Sequence, residues 1–296
     1  MIYFNILLIQ IVIEMSKLTI TNHNRNVTGL TYVYPVLSRR AGGLSIGINF
    51  NPNNACNWRC IYCQVPELKL GTAPKIDLNL LAQELRLFLN DVLHGDFYER
   101  MSVPPEQRVI KDIAIAGNGE PTSLSEFDAA IKIIGDIATE LGIFPESHFV
   151  LITNGSLIHR SMVQTGLKWL NNYGGEVWFK LDSGTPEGRM LVNHSAQTNE
   201  SVLKNITLAS QHCPTKIQIC LVDYQQHGLS TSERDGFLDL LTQIRATTSI
   251  ENVTIYTLAR PSHQPESIDL QTMPVEIMQH FAQEIRLLGF DVTVTE

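Results

Sequence analysis

The segment 44–63, LSIGINFNPNNACNWRCIYC, joins a short apolar run to three closely spaced cysteines. Residues 44–50 are apolar enough to predict a buried strand, which would deliver the following loop to one end of a sheet. Cys56, Cys60 and Cys63 stand at C-x3-C-x2-C spacing, so their thiolates can reach one metal centre. The next cysteine is Cys213. The loop therefore predicts a site with three protein ligands and one open position, either an iron–sulfur cluster or a zinc site.

The composition predicts a globular chain in a reducing compartment. Of the 296 residues, 44% are hydrophobic, which suffices for a sizeable core. Lys and Arg total 22 against 30 Asp and Glu, so no global basic field favours nucleic acid or an anionic membrane. Five cysteines, three of them clustered, do not form a disulfide framework. We therefore expect a cytoplasmic protein with no membrane partner.

The N-terminus predicts an extension rather than a targeting segment. Residues 2–13 form an apolar run that is interrupted by Asn5 and Gln10. The run falls short of the roughly 20 residues that span a bilayer and lacks a basic start. Met15 is an alternative start codon. We expect residues 1–30 to be an N-terminal extension and residues 31–296 to form a single domain.

Strand and helix patterns alternate along the rest of the chain. Apolar strand patterns occur at 44–50, 112–116, 149–153, 177–181, 217–222 and 253–258. Helical patterns follow at 78–92, 125–141, 161–171, 201–210, 233–247 and 275–288. This alternation predicts a parallel α/β sheet, either an incomplete (β/α)6 barrel or an open sheet. Residues 290–294 could add a seventh strand, and the charged stretch 96–109 is interpreted as a surface insertion.

Polar or glycine-rich motifs follow most of these strands. They are the cysteine loop and the segments 117–122, 153–155, 180–184 and 260–261. In a parallel α/β fold the carboxyl ends of the strands meet at one edge, so we expect these motifs to surround one cavity.

The cysteine spacing, with Tyr62 just before the last cysteine, resembles the cluster motif of radical S-adenosylmethionine (SAM) enzymes. Asn118-Gly119-Glu120-Pro121 resembles the family's Gly-Gly-Glu-Pro motif, with Asn118 replacing the first glycine. The resemblance implies an incomplete parallel barrel of the radical SAM type. It also implies a [4Fe–4S] cluster on the three loop cysteines, with SAM at the open iron. Gly117, Asn118, Gly119 and Glu120 would bind the methionine amino group, and the backbone of Tyr62 would contact adenine.

Five further residues at strand ends are candidate contacts for the ribose hydroxyls and carboxylate of SAM. They are Thr153, Asn154, Lys180, Asp182 and Ser183. A strand-end Thr-Asn-Gly is also an ordinary turn sequence, and Lys180 and Asp182 could simply pair with each other.

A longer match resembles the subgroup grouped with wyosine-type tRNA-modification Fe–S oxidoreductases. It comprises residues 34–40, 47–49, 63–64, 116–122, 153–155 and 257–261. Wyosine-forming members carry a second cluster on cysteines before the motif, whereas this chain has no cysteine before Cys56. The resemblance implies reductive cleavage of SAM to a 5′-deoxyadenosyl radical that abstracts hydrogen from a substrate. The substrate stays open between a tRNA base, a peptide and a small molecule, and the electron donor would be a flavodoxin or ferredoxin.

Other interpretations remain at this point. The cysteines could be structural ligands in a zinc- or cluster-binding regulatory protein, or the chain could bind RNA without radical chemistry. Cys213 and Cys220 are expected to be buried structural residues. Arg39, Arg40 and Arg260 could bind phosphate or carboxylate, or form ordinary salt bridges.

Overall fold

The computed structural model describes residues 18–19, 27–38 and 42–295. Most of the predicted N-terminal extension, together with Arg39 and Arg40, lies outside these residues. No helix in the described part of the chain is long and apolar enough to cross a membrane.

The strands are introduced here in chain order. They are β1 (Val33–Ser38), β2 (Gly43–Ile48), β3 (Ala55–Cys56), β4 (Lys69–Leu70), β5 (Ile110–Ile115), β6 (His148–Thr153), β7 (Glu176–Lys180), β8 (Thr215–Cys220), β9 (Val222–Tyr224), β10 (Asn252–Tyr256), β11 (Leu270–Thr272) and β12 (Asp291–Thr295). The helices are α1 (Leu78–His94), α2 (Phe97–Arg100), α3 (Phe127–Glu140), α4 (Ser161–Asn172), α5 (Pro186–Asn193), α6 (Asn199–His212), α7 (Thr231–Thr247) and α8 (Val275–Leu287).

The main sheet is an eight-stranded sheet ordered β1-β2-β5-β6-β7-β8-β10-β12. Only β1 is antiparallel to its neighbour, and all other pairs are parallel. Within this sheet each parallel strand lies beside the sheet strand that comes before it in the chain. The strand order therefore never reverses direction, as in a barrel. The helices α3, α4, α6, α7 and α8 pack side by side in the same order. This is the α/β architecture of an incomplete barrel, and the six predicted strands are confirmed, with β12 as a seventh parallel strand.

Alternation along the strands separates an apolar outer face from a more polar concave face. Ile113 and Phe149 are register partners, are both almost fully buried and belong to the core shared with the helices. Lys180 and Gln218 are register partners on neighbouring strands and face the opposite side. The core therefore lies between sheet and helices, while the concave face is left for polar contacts.

Two parts of the chain differ from the sequence prediction. The stretch 96–109 was interpreted as a surface insertion, but Phe97, Met101 and Val103 are buried in the core. Two of its charged residues, Glu99 and Arg100, are exposed on the short helix α2, and the charges along the stretch hid the three apolar anchors. Helix α5 was not predicted, because its buried residues are Arg189 and Asn193 rather than an apolar stripe.

Candidate functional site

The cysteine loop is held in place by backbone hydrogen bonds to the end of helix α5. Ile61 N donates to Val192 O at 2.9 Å, and Arg59 N donates to Asn193 O at 3.2 Å. The Arg59 guanidinium also binds Glu266 through two hydrogen bonds of 2.9 and 2.6 Å. These contacts tether the middle of the loop on two sides.

A second clamp comes from the segment after β10. The carbonyl of Cys63 accepts hydrogen bonds from Ser262 Oγ at 3.0 Å and from His263 N at 2.9 Å. Gln64 Nε2 donates to Arg260 O at 3.3 Å. The segment 260–261, predicted to lie at the site, therefore does so through the backbone of Arg260. Ser262 and His263 also hold the loop, but no sequence motif indicated their role.

The thiols of the loop are partly shielded from solvent. Burial raises the pKa of Cys56 to about 12, although a hydrogen bond from Trp58 N at 3.5 Å opposes it. Burial likewise raises the pKa of Cys60 to about 11, with Lys180 acting in the opposite direction. Burial therefore disfavours the thiolate form of both side chains in the metal-free chain, and a metal that binds them must displace their protons.

The predicted Gly-rich segment packs directly against the cysteine loop. A Cβ on Gly119 would lie 2.0 Å from the carbonyl oxygen of Ala55, and a Cβ on Gly117 would lie 2.3 Å from Asn49 Oδ1. Asn118 donates from its backbone N to Asn49 Oδ1 at 2.9 Å and from Nδ2 to Asn54 Oδ1 at 2.7 Å. Glycine is required at Gly119 because the two backbones touch, and a side chain at Gly117 would collide with the Asn49 amide.

The carboxylate of Glu120 joins the ends of β5 and β6. Its Oε1 accepts from Thr122 N at 3.1 Å and from the hydroxyls of Thr122 and Thr153 at 2.5 Å each. Its Oε2 accepts from Asn154 N at 2.7 Å. Burial raises the pKa of Glu120, while these hydrogen bonds oppose that shift. Because the carboxylate is already satisfied by the chain, its contact with an amino group stays a prediction.

The Thr-Asn-Gly segment at the end of β6 also reaches the cysteine loop. Asn154 Nδ2 donates to Asn57 Oδ1 at 2.9 Å, and Asn57 Nδ2 donates to Ser156 Oγ at 2.8 Å. Thr153 keeps its hydroxyl within the chain, since it also accepts from Gly155 N at 3.0 Å. The segment is thus a turn, as its composition allows, and at the same time a wall of the site.

Lys180 and Asp182 lie at the end of β7 in a partly buried ionic cluster with two tyrosines. Lys180 Nζ is 3.4 Å from Asp182 Oδ2, 2.7 Å from the Tyr62 hydroxyl and 3.3 Å from the Tyr256 hydroxyl. Tyr62 also donates to Asp182, whose other oxygen accepts from Cys220 N at 3.1 Å. Burial favours the neutral amine, but Asp182 and the neighbouring phenols and thiols outweigh it and raise the pKa of Lys180 well above its usual value. A fixed positive charge therefore faces the concave side of the sheet.

Ser183 and Asn193 have different places around this cluster. The Ser183 hydroxyl is fully buried and bonds to the backbone of Thr185, so it shapes the turn into α5. Asn193, which carries no sequence signal, donates from Nδ2 to both Cys60 Sγ at 3.2 Å and Asp182 Oδ2 at 3.1 Å. It joins the cysteine loop to the ionic cluster.

The two remaining cysteines are both buried. Cys213 donates its thiol to Gly175 O at 3.3 Å, and burial raises its pKa to about 12. Cys220 borders the ionic cluster, and burial raises its pKa too. Both have the burial that was predicted for structural cysteines.

The residues present fit a cluster and a ligand bound beside it. The donor set is three thiols on one loop, the donor type that holds iron–sulfur clusters. In the described part of the chain no three His, Cys, Asp or Glu side chains converge on one metal ion. Each thiolate of an iron–sulfur cluster binds a different iron, so such convergence is not required. Asn51 Oδ1 and Asn193 Oδ1 are buried without a hydrogen-bond partner among the described residues. A bound group with donors would satisfy them.

Residues 50–228 match the sequence profile of the Radical SAM superfamily. The chain belongs to the radical SAM superfamily. The match begins just before the cysteine loop and includes the ends of β5, β6, β7 and β8. Members of this superfamily are enzymes of SAM-dependent radical chemistry, which use an iron–sulfur cluster and usually need a reductant.

Curated relatives match a shorter part of the chain. A "UPF0026 protein" of Helicobacter pylori is 30% identical over 136 residues, which are 45% of this chain and 38% of the relative. A protein named "GTPase Obg" from Brachyspira hyodysenteriae is 29% identical over 136 residues, 45% of this chain and 17% of its own length. The matches thus span less than two-fifths of these relatives.

Solved structures share the fold at low sequence identity. A radical SAM methyltransferase from Sphaerobacter thermophilus has a TM-score of 0.57 at 14% identity, covering 89% of this chain and 68% of that one. TYW1 with a lysine–pyruvate adduct bound has a TM-score of 0.52 at 15% identity, covering 93% and 80%. The enzyme anSMEcpe with bound AdoMet has a TM-score of 0.52 at 16% identity, covering 84% and 62%. These likenesses show the shared fold.

Proposed function

We propose that the protein cleaves SAM reductively at a [4Fe–4S] cluster held by Cys56, Cys60 and Cys63. One observation carries the proposal: three separate strand ends contact the cysteine loop. Gly119 touches Ala55, Asn154 binds Asn57, and the β7 end reaches Cys60 through Asn193. When bound, the cluster supplies one electron to SAM, giving methionine and a 5′-deoxyadenosyl radical.

The chain's own residues would bind and orient SAM beside the loop. The backbone of residues 117–120 lies against the loop and is our proposed contact for the amino group. Lys180 offers a partly buried positive charge for the carboxylate, and Asn154 and Asp182 border the same space. Thr153 and Ser183 already use their hydroxyls within the chain, so we propose that they position these neighbours. The backbone of Tyr62 remains our proposed adenine contact.

The polar concave face supports a polar substrate for hydrogen abstraction. Lys180, Gln218 and Thr254 are register partners across β7, β8 and β10, so they share this face. We propose a tRNA base, a peptide or a polar small molecule as substrate. A flavodoxin or ferredoxin would supply the electron.

Anaerobic reconstitution with iron and sulfide tests the proposal. Wild-type protein is expected to bind about four iron and four sulfide per chain. After reduction with dithionite it should release 5′-deoxyadenosine from SAM. Alanine at any one of the three loop cysteines should abolish both results. The matched control is Cys213→Ala, which removes a buried cysteine outside the loop and should keep both. One zinc per chain and no 5′-deoxyadenosine would refute the proposal in favour of a structural metal site.

A further inference from the structure

Asn193 ends helix α5 directly beside a proposed cluster ligand. Its side chain is fully buried. Its Nδ2 lies 3.2 Å from Cys60 Sγ and 3.1 Å from Asp182 Oδ2, while its backbone carbonyl accepts from Arg59 N. One residue thus contacts the loop through its backbone and a loop sulfur through its amide.

The chemistry of its neighbours fixes which end of the amide faces the sulfur. A carboxylate and a cysteine sulfur are both acceptors, so only the NH₂ group can face the two together. Asp182 cannot turn away, because the hydroxyl of Tyr62 and the backbone N of Cys220 hold it. The donor toward Cys60 is therefore locked in place by Asp182, which is itself held by Tyr62 of the loop and by the backbone of Cys220 on β8.

We propose that Asn193 raises the reduction potential of the cluster through its N–H···S hydrogen bond to Cys60. The inference rests on the proposed function, in which Cys60 is an iron ligand. Reduction adds one electron to the cluster from a one-electron donor, with no bond made or broken. The added negative charge spreads onto the ligand sulfurs, so a donor aimed at a sulfur stabilises the reduced form more than the oxidised form. The full burial of the Asn193 side chain strengthens the effect, because no water competes for its amide N–H.

The contact can be tested separately from the fold of the loop. The hydrogen bond to Cys56 comes from the backbone of Trp58, which substitution does not remove. The bond to Cys60 comes from a side chain. Asn193→Leu removes the donor at similar size, and Asn193→Asp replaces the donor nitrogen with an oxygen at equal size.

Redox titration of the reconstituted proteins, followed by electron paramagnetic resonance of the reduced cluster, measures the effect. At a fixed potential the ratio of reduced to oxidised cluster is expected to fall about tenfold in Asn193→Leu. For a one-electron couple this is a shift of about 59 mV to more negative potential. Asn193→Asp should shift in the same direction, since it removes the amide N–H donor from the sulfur. Unchanged potentials in both variants would overturn the inference.

The matched control is Asn205→Leu. Asn205 is a buried asparagine on the next helix, α6, whose amide donates to Ser156 O at 3.3 Å. Its substitution should leave the potential unchanged, and an equal shift there would mean that the effect of Asn193 is not specific.

A second measurement is decided on the wild-type protein, so it holds even if the variants assemble the cluster poorly. In wild-type protein labelled with ¹⁵N-asparagine, spin-echo spectra of the reduced cluster should show a coupled amide nitrogen, and the coupling should disappear in Asn193→Asp. A wild-type cluster without this coupling refutes the inference and leaves the proposed function intact. A wild-type protein that assembles no cluster refutes the proposed function itself.

Discussion

Gly119→Ala tests the contact that joins the Gly-rich segment to the cysteine loop. The new Cβ would lie 2.0 Å from Ala55 O and 2.9 Å from Ala55 C, whereas ordinary van der Waals contact begins at 3.4 Å. Both atoms belong to the backbone, so no side-chain rotation relieves the overlap. The loop must move by more than about 1 Å to restore a normal separation.

We expect this displacement to reduce both stability and activity. Overpacking of this kind costs about 1–3 kcal/mol in the free energy of unfolding, measured by urea denaturation of the metal-free protein. Since Ala55 directly precedes Cys56, the same displacement moves a proposed ligand. A misplacement of about 1 Å at a reacting centre costs on the order of 100-fold in rate, so 5′-deoxyadenosine formation should fall by about that factor.

Gly71→Ala is the matched control, because its Cβ would meet the same residue at an ordinary distance. The new atom would lie 3.5 Å from Ala55 Cβ. We expect a stability within about 0.5 kcal/mol of wild type, together with normal SAM cleavage. Equal behaviour of the two variants would refute the argument that the backbone contact at Gly119 positions the loop.

Three further predictions concern the surroundings of the site. Glu120→Gln should lower the free energy of unfolding by about 1–3 kcal/mol, because its amide NH₂ must face a buried donor; an unchanged urea midpoint would contradict this. Glu266→Gln should cost about 1 kcal/mol, because it breaks a half-buried bidentate pair with Arg59, whereas Glu140→Gln, which breaks an exposed pair, should leave the urea midpoint unchanged; equal midpoint shifts would contradict the assignment. Burial, with a smaller effect of Lys168, lowers the pKa of His212 below 6.5 in the folded state. The unfolded chain therefore binds the proton first, and stability should be full above about pH 6.5 and decline as pH falls below it. In urea titrations across pH 5–8 this part of the decline should be absent in His212→Gln, and identical pH profiles would contradict it.

Strand and helix patterns predicted the layout of the fold but not every element of it. The six apolar strand patterns fall on β2, β5, β6, β7, β8 and β10, because buried parallel strands have continuous apolar runs. Helix α5 escaped prediction because Arg189 is buried by hydrogen bonds to Ser183 O and Gln197 O rather than by apolar packing. The sequence of this helix has no apolar residues at helical spacing on its buried face, so hydrophobic periodicity does not predict it.

In the candidate site too, sequence motifs predicted some residues and missed others. Motifs placed the loop cysteines, residues 117–120, Asn154, Lys180 and Asp182 at strand ends, and the structure brings all of these together. Whether they bind the cluster and SAM stays a prediction. Asn193, Tyr256 and Ser262 were missed, because each belongs to no local motif and reaches the site only through the winding of the barrel.

The sequence by itself determined the radical SAM type of the loop and the parallel α/β class, since both depend on local spacing. The resemblance of the motifs also implied an incomplete barrel, which the strand order confirms. Only the tertiary structure decided that Glu120 bonds to the chain. It also placed the amide of Asn193 on the sulfur of Cys60. The physical reason is that hydrogen bonds between residues 33 to 133 positions apart depend on how strands are ordered and helices packed. Local residue patterns do not encode that order.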